Sequence, residues 1–381
     1  MTTAPNTADD SRAAQLLATF EREGHVRVRP AILQPAEPFL ALSGEDIRRR
    51  MYLVTDLDGS ELCLRPDLTI PAALDYLASD RAGKPAGFCY LGPVFRQNRR
   101  DGVGEFLQAG IESFGRDDKA AADAEMLALG IATTAHYGLA APDIRMGDVG
   151  LFAALVAALG LPAAWKRRLT KDFNRKLLLV NDLDQLTLAG TNERPEYQGV
   201  LAALANSDPK GARALITDLL SIAGISTVGG RSVGEIADRF LEQAELGASA
   251  ALPDESCAVI ERFLAISGDP ASAASELRCL ADAAGLAMTP ALDRFEERTR
   301  LFAARGIDTS RISFATAFGR GLDYYTGFVF ELHDPERRAT GQLVAGGRYD
   351  GLFARLGRTE PIPAVGLAAW IERLALLGGG R

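Results

Sequence analysis

The chain is poor in the residues that build metal centres and disulfide frameworks. Among 381 residues there are four cysteines and three histidines. Cys63, Cys89, Cys257 and Cys279 are too widely spaced for a CxxC pair, and His25, His136 and His333 are as scattered, so no structural zinc site is expected. The thiols read as free, which suits a reducing cytoplasm. No apolar run approaches the roughly 20 residues of a membrane span. The opening MTTAPNTADDSRAAQ carries acids and no apolar centre, so it does not read as a signal peptide. Basic residues are outnumbered, 42 Lys and Arg against 50 Asp and Glu, for a net charge of −8. Gripping tRNA phosphates takes a basic face, so the balance favours small molecules or proteins as partners. Walker, GxGxxG, HExxH and GxSxG patterns are missing, and no cofactor is expected.

What is present is ordinary for a globular protein, 47% hydrophobic and 24% charged residues, in a length that suits two or three folding units. The texture changes twice. Residues 1–150 mix helical periodicity (11–23, 67–77) with short β-rich runs (51–53, 61–64, 87–91, 106–114). Residues 151–305 are rich in Ala and Leu, with helical patterns at 151–159, 165–179, 197–205, 210–223, 233–245, 255–266 and 271–284, and read as a helical insertion. In residues 306–381 the β texture returns at 312–317, 327–332, 342–345 and 364–368, with a GGRYDG turn at 346–351. Two β-rich parts around a helical block predict an α+β core, with one antiparallel sheet flanked by helices.

Four stretches carry polar groups that packing alone does not call for. In Leu64-Arg-Pro-Asp67-Leu-Thr69 a carboxylate and a hydroxyl sit at a helix start, where an N-cap is the simpler explanation. In the hairpin that follows Gly92-Pro-Val-Phe-Arg96, Gln108 and Glu112 are four apart on a strand and so share a face. That face either meets solvent or meets something polar. The stretch GRGLDYYT (319–326) combines glycines, Arg320, which can hold a carboxylate, and the phenols of Tyr324 and Tyr325. The last is the pair GGRYDGL and PAVGLAAWIERL; a tight turn explains Gly346 and Gly347 but not Arg348, Tyr349 and Asp350.

Together and in this order, these stretches resemble the catalytic core of histidyl-tRNA synthetase, a class II aminoacyl-tRNA synthetase, over about residues 10–130 and 310–377. The resemblance implies a histidine pocket. Asp67 stands where the family has a glutamate and, with Thr69 and Gln108, corresponds to the α-ammonium binders. Glu112 corresponds to the residue that recognises the imidazole, Tyr324 and Tyr325 line the ring, and Arg320 lies near the carboxylate. Arg96 corresponds to the first motif-2 arginine.

The nucleotide and tRNA features fare differently. Asn98 stands where the synthetases have a glutamate, and Gly102-Val-Gly104 replaces an Arg-x-Arg. Trp370 takes the place of a glycine that leaves room for adenine, although Arg373 is kept. The sequence ends eight residues after Arg373, with no anticodon-binding domain expected. A kept amino-acid pocket beside an eroded nucleotide site is similar to the regulatory subunits of ATP phosphoribosyltransferase. That resemblance implies a cytoplasmic, non-catalytic homodimer in a hetero-oligomer with the short-form catalytic subunit, sensing free histidine and binding no tRNA. Two rivals are a divergent synthetase-like amino-acid-activating enzyme and an RNA-binding regulator.

Overall fold

The computed structural model describes residues 11–97, 104–173, 209–222, 227–228, 231–232, 234, 236–238, 254–320 and 324–378. They divide into two compact units, one formed by Met1–Ala154 with Arg262–Arg381 and the other by Leu155–Glu261. The first unit is built on a nine-stranded sheet in the order β1-β5-β6-β14-β13-β12-β7-β11-β10. Its strands are β1 (Val26–Arg27), β5 (Ala86–Phe95), β6 (Glu105–Phe114), β7 (Asp143–Asp148), β10 (Ser267–Gly268), β11 (Ile312–Ala315), β12 (Phe328–His333), β13 (Gln342–Arg348) and β14 (Ala364–Trp370). A smaller antiparallel sheet joins β2 (Leu33–Pro35), β4 (Glu61–Leu64) and β3 (Tyr52–Thr55) in that order.

The sheet departs from the expected antiparallel pattern at its flanks. The central run β5-β6-β14-β13-β12-β7 is antiparallel throughout, but β1 pairs with β5, and β11 with β7, in parallel. A parallel pair needs a long crossover, and the chain supplies one in each case, residues 28–85 and residues 149–311. The GGRYDG turn is also shorter than expected, because Gly346, Gly347 and Arg348 still belong to β13. The two glycines serve close packing. A side chain on Gly347 would sit 2.5 Å from the Phe328 carbonyl, and one on Gly346 would sit 2.8 Å from the Phe330 ring.

The front face of the sheet carries Gln108, Glu112 and Phe114 and is covered in part by α4 (Thr69–Ala78) and α12 (Leu352–Arg355). An aromatic cluster closes one end of this layer, with Phe114 at 4.9 Å from Tyr76 and 5.1 Å from Phe353 between ring centres. The back face is covered by α5 (Lys119–His136) and α11 (Thr289–Ala304), where Phe302 meets Phe328 at 5.6 Å and Phe295 meets Phe314 at 4.9 Å. Thus α10 (Pro270–Ala283) and α11, placed by sequence in the insertion, belong to the unit that holds the sheet. Their buried Ala273, Leu277, Leu292, Phe295 and Phe302 pack there, which moves the structural boundary from 305 to Arg262.

In the second unit the helices α7 (Ala163–Asp172) and α8 (Pro209–Ile222) lie where helical periodicity placed them. The expected helix at 197–205, the end of the one at 165–179 and most of the one at 233–245 fall outside the described residues. Among the described residues, no helix is long and apolar enough to cross a membrane, and no group of His, Cys, Asp and Glu could hold a metal ion.

Phe114 has no exposed surface and touches both Tyr76 and Phe353. Phe114→Ala is expected to cost about 3–5 kcal/mol in the denaturant-unfolding free energy, the range for emptying a buried aromatic site. A loss below 1 kcal/mol would mean that the cluster is not part of the stabilising core.

Candidate functional site

Glu112 lies near the end of β6 and is 1% exposed. Its register partner on β14 is Gly366, and a side chain there would overlap the Glu112 carboxylate, coming within 2.7 Å of its Cδ. The strand therefore needs glycine opposite the acid. The Tyr90 hydroxyl donates to Glu112 Oε1 at 2.9 Å, and the Tyr349 hydroxyl donates to Oε2. Burial pushes the Glu112 carboxyl up to about 7, against the pull of the hydroxyls of Tyr349, Thr69 and Tyr90. Its hydrogen bonds come from hydroxyls rather than from a cation, an expensive way to keep a carboxylate dry.

The second buried acid, Asp67, stands just ahead of α4. Its Oδ1 accepts from the Ile70 amide at 3.1 Å, although the N-cap position of the helix is Leu68, one residue further on. Its Oδ2 has no hydrogen-bond partner among the described residues. Burial raises the Asp67 carboxyl, while the Ile70 amide and the nearby Arg96 guanidinium pull it down. Arg96, at the end of β5, donates from Nε to the Pro66 carbonyl at 2.7 Å and lies over the Phe106 ring at 5.4 Å.

The opposite wall comes from the segment before β12. The Arg320 Nη1 donates to the Tyr325 hydroxyl at 2.7 Å, and its Nε donates to Glu331 Oε1 at 3.4 Å. The Tyr324, Tyr325 and Tyr349 rings stand within 4.9 to 6.3 Å of one another, forming an aromatic corner next to Glu112.

One cavity of about 240 Å³ gathers the two acids, both arginines and the aromatic corner, with Tyr90 behind Glu112 and outside the lining. Asp67, Thr69, Arg96, Gln108, Glu112, Arg320, Tyr324 and Tyr325, spread over 259 positions of sequence, all line it. Its volume is below the roughly 300 Å³ at which pockets for drug-sized ligands begin, so it suits a small, polar molecule. Three acids (Asp67, Glu112 and Glu331), three guanidiniums (Arg50, Arg96 and Arg320) and three phenols line it, a set complementary to a zwitterion that carries an additional N–H donor.

Of the residues read as an eroded nucleotide site, Trp370 lines the same cavity opposite Gln108, as its register partner on β14. Arg373 stacks on the Trp370 ring at 5.3 Å and donates to the Gln342 carbonyl at 2.7 Å, so its guanidinium is engaged within the protein. Gly104 accepts from the Arg96 amide at 2.7 Å, and a side chain there would come within 2.8 Å of the Tyr52 ring. Asn98 and Gly102 lie outside the described residues.

Of the lining residues that the sequence reading left out of the site, three had left a signal. Tyr349 had left a trace, since the RYD of GGRYDG exceeded what a turn requires. Glu331 was marked by being the lone acid in the apolar run FVFEL; it also pairs with His333 Nε2 at 3.0 Å. Gly366 could have been found by pairing β6 with β14, because a buried strand acid facing a glycine is a matched pair. Tyr90 carried no such signal: a tyrosine in an apolar strand is unremarkable without its register.

Comparison with known proteins was made against this geometry. A family model described as histidyl-tRNA synthetase matches residues 5–228 and 215–374. Proteins named ATP phosphoribosyltransferase regulatory subunit, from Brucella canis and Brucella ovis, are 42% identical over 351 residues, which is 91% of this chain and 92% of theirs. A solved structure from Bacillus halodurans, described as an ATP phosphoribosyltransferase regulatory subunit/histidyl-tRNA synthetase, aligns with a TM-score of 0.66 at 21% identity, covering 100% of this chain and 81% of that one. A histidine–tRNA ligase subunit from Alicyclobacillus acidocaldarius aligns with a TM-score of 0.58 at 24% identity, over 99% of this chain and 95% of that one. At these identities the two structures establish the shared fold, that of class II synthetases.

The raised Glu112 carboxyl sets a pH dependence. Its folded pKa of about 7 lies above the ordinary glutamate value of 4.5, so between those values the folded state holds more proton than the unfolded one. Stability should therefore fall as pH rises from about 4.5 to about 7. Glu112→Gln should flatten that part of the profile, read by chemical denaturation at half-unit pH steps. Parallel profiles for the two proteins would remove Glu112 as their source.

Proposed function

Because this chain belongs to the ATP phosphoribosyltransferase regulatory subunit family, within the histidyl-tRNA synthetase fold, we propose that its cavity binds free histidine to regulate a partner catalytic subunit. The observation that carries this reading is the convergence of Asp67, Glu112 and Arg320 on one small cavity. A histidine placed there would offer its ammonium to Asp67 Oδ2 with Thr69 and Gln108, its imidazole N–H to Glu112, and its carboxylate to the remaining guanidinium edge of Arg320. Each buried charge would then meet its complement, which is the condition for burying such groups at all.

The partner in this reading is the short-form catalytic subunit of ATP phosphoribosyltransferase in the cytoplasm, activated by this chain and inhibited through it when histidine accumulates. Feedback of this kind requires histidine to bind one state of the complex better than the other. The chain would enter the complex as a homodimer. Ile32, Leu33, Leu53 and Val54, 42–50% exposed on and beside the small β2-β4-β3 sheet, supply apolar surface for a second copy. The reading assigns no chemistry to the chain itself. Trp370 occupies wall space on which adenine would depend, and Arg373 is committed to Trp370 and Gln342.

Calorimetry of the purified chain should register histidine binding and no ATP binding; tight ATP binding would instead support the amino-acid-activating enzyme. Glu112→Ala should weaken histidine by on the order of 1.5–3 kcal/mol, the scale of a buried hydrogen bond to a charged group; unchanged affinity would overturn the pocket assignment. Trp370→Gly should remain inactive in histidine-dependent pyrophosphate exchange, because Gly102-Val-Gly104 stands where the synthetases have an Arg-x-Arg. Measurable exchange in that variant would show that Trp370 was the only barrier.

A further inference from the structure

A buried ion-pair network lies on the back of the sheet, behind the cavity. The Arg348 Nε donates to Asp123 Oδ1 at 2.8 Å, its Nη1 to Asp350 Oδ1 at 2.8 Å and its Nη2 to the Lys119 carbonyl at 2.9 Å. Asp123 Oδ2 also faces Arg298 at 3.4 Å, and Arg298 bonds Asp148 Oδ2 at 2.5 Å. Asp350 is tied further, to the Lys119 ammonium at 2.7 Å and to the Ala364 amide at 2.9 Å. Its own amide donates to the Thr326 hydroxyl at 3.0 Å. Both neighbours of Tyr349 in sequence are thus pinned on the back of the sheet, while Tyr349 itself reaches the front, where its hydroxyl donates to Glu112. Asp123 and Arg348 are 2% and 6% exposed, so these bonds are little screened by water.

None of these back-face groups lines the histidine cavity; Arg348, Asp350, Asp123 and Arg298 border a separate cavity of about 750 Å³. A tyrosine hydroxyl aimed at a carboxylate has a narrow range of good geometry, and a shift of the β13 end would spoil it. We propose that Asp123, Arg348 and Asp350 are positioning residues for the imidazole-recognising pair Tyr349–Glu112, setting histidine affinity from the opposite face of the sheet. This rests on the histidine reading above. It makes the back face, which touches no ligand, a place from which the pocket can be tuned.

The test is a double-mutant cycle on the full chain, with histidine affinity measured by calorimetry for the wild type, Asp350→Asn, Tyr349→Phe and the double variant. Asp350→Asn keeps its carbonyl acceptor but loses its charge toward Arg348 and Lys119, and at 20% side-chain exposure it is the variant best able to fold. It should weaken histidine by about three- to tenfold, and should add nothing further in the Tyr349→Phe background, the mark of groups that act through one another. Asp123→Asn, deeper in the network, should behave in the same way. A merely structural role would lower the melting temperature while the losses in affinity multiplied. Wild-type affinity in Asp350→Asn, or independent losses in the double variant, would overturn the positioning role while leaving the histidine reading intact. A wild-type chain with no histidine affinity would instead overturn the reading beneath it.

Discussion

The first unit is organised around a carboxylate kept in a dry site without a cation. Glu112 is held on a central strand by the hydroxyls of Tyr90 and Tyr349, and it fits only because β14 offers Gly366 across from it. Those requirements reach across the fold. They fix the register of β6 against β14, they bring the end of β13 over the front of the sheet, and they place the Tyr324–Tyr325 corner where it closes the cavity. On the proposed histidine reading, the cost of burying the charge is what an incoming N–H donor would offset.

Much of this was legible in the sequence, for physical reasons. The spacing of Gln108 and Glu112 on a β-patterned run put them on one face, and the structure has them on one face, both lining the cavity. The eight pocket residues inferred from resemblance meet in one cavity, as a shared fold requires. Less was visible where the answer depended on pairing between strands. Tyr90 and Gly366 have meaning only through register. The parallel flanks of the sheet follow from long crossovers that strand composition does not record. The helices between Pro270 and Ala304 looked like the rest of an Ala- and Leu-rich block. Their aromatic faces, Phe295 and Phe302, belong with the sheet, and only tertiary packing separates them from the helices before Arg262.

The contrast between the two ends of the cavity is informative about regulation. At the Glu112 end, polar groups are arranged and left open to a partner. At the Trp370 end, the indole, the Arg373 guanidinium and the Gln342 carbonyl satisfy one another. On the proposed reading, an amino acid binds here without reacting, and binding that leads to no chemistry is what a sensor needs, since the occupant must leave again as its concentration falls.

Gly366 also bears on how such a pocket could change over evolutionary time. Every other residue at that position carries a β-carbon, which would collide with the Glu112 carboxylate. Replacing the glycine first would displace the acid, and replacing the acid first would leave an empty notch behind a bare strand. A lineage drifting toward a different amino acid would thus have to cross a valley of two coordinated substitutions. The Glu–Gly pair should accordingly be inherited as a unit.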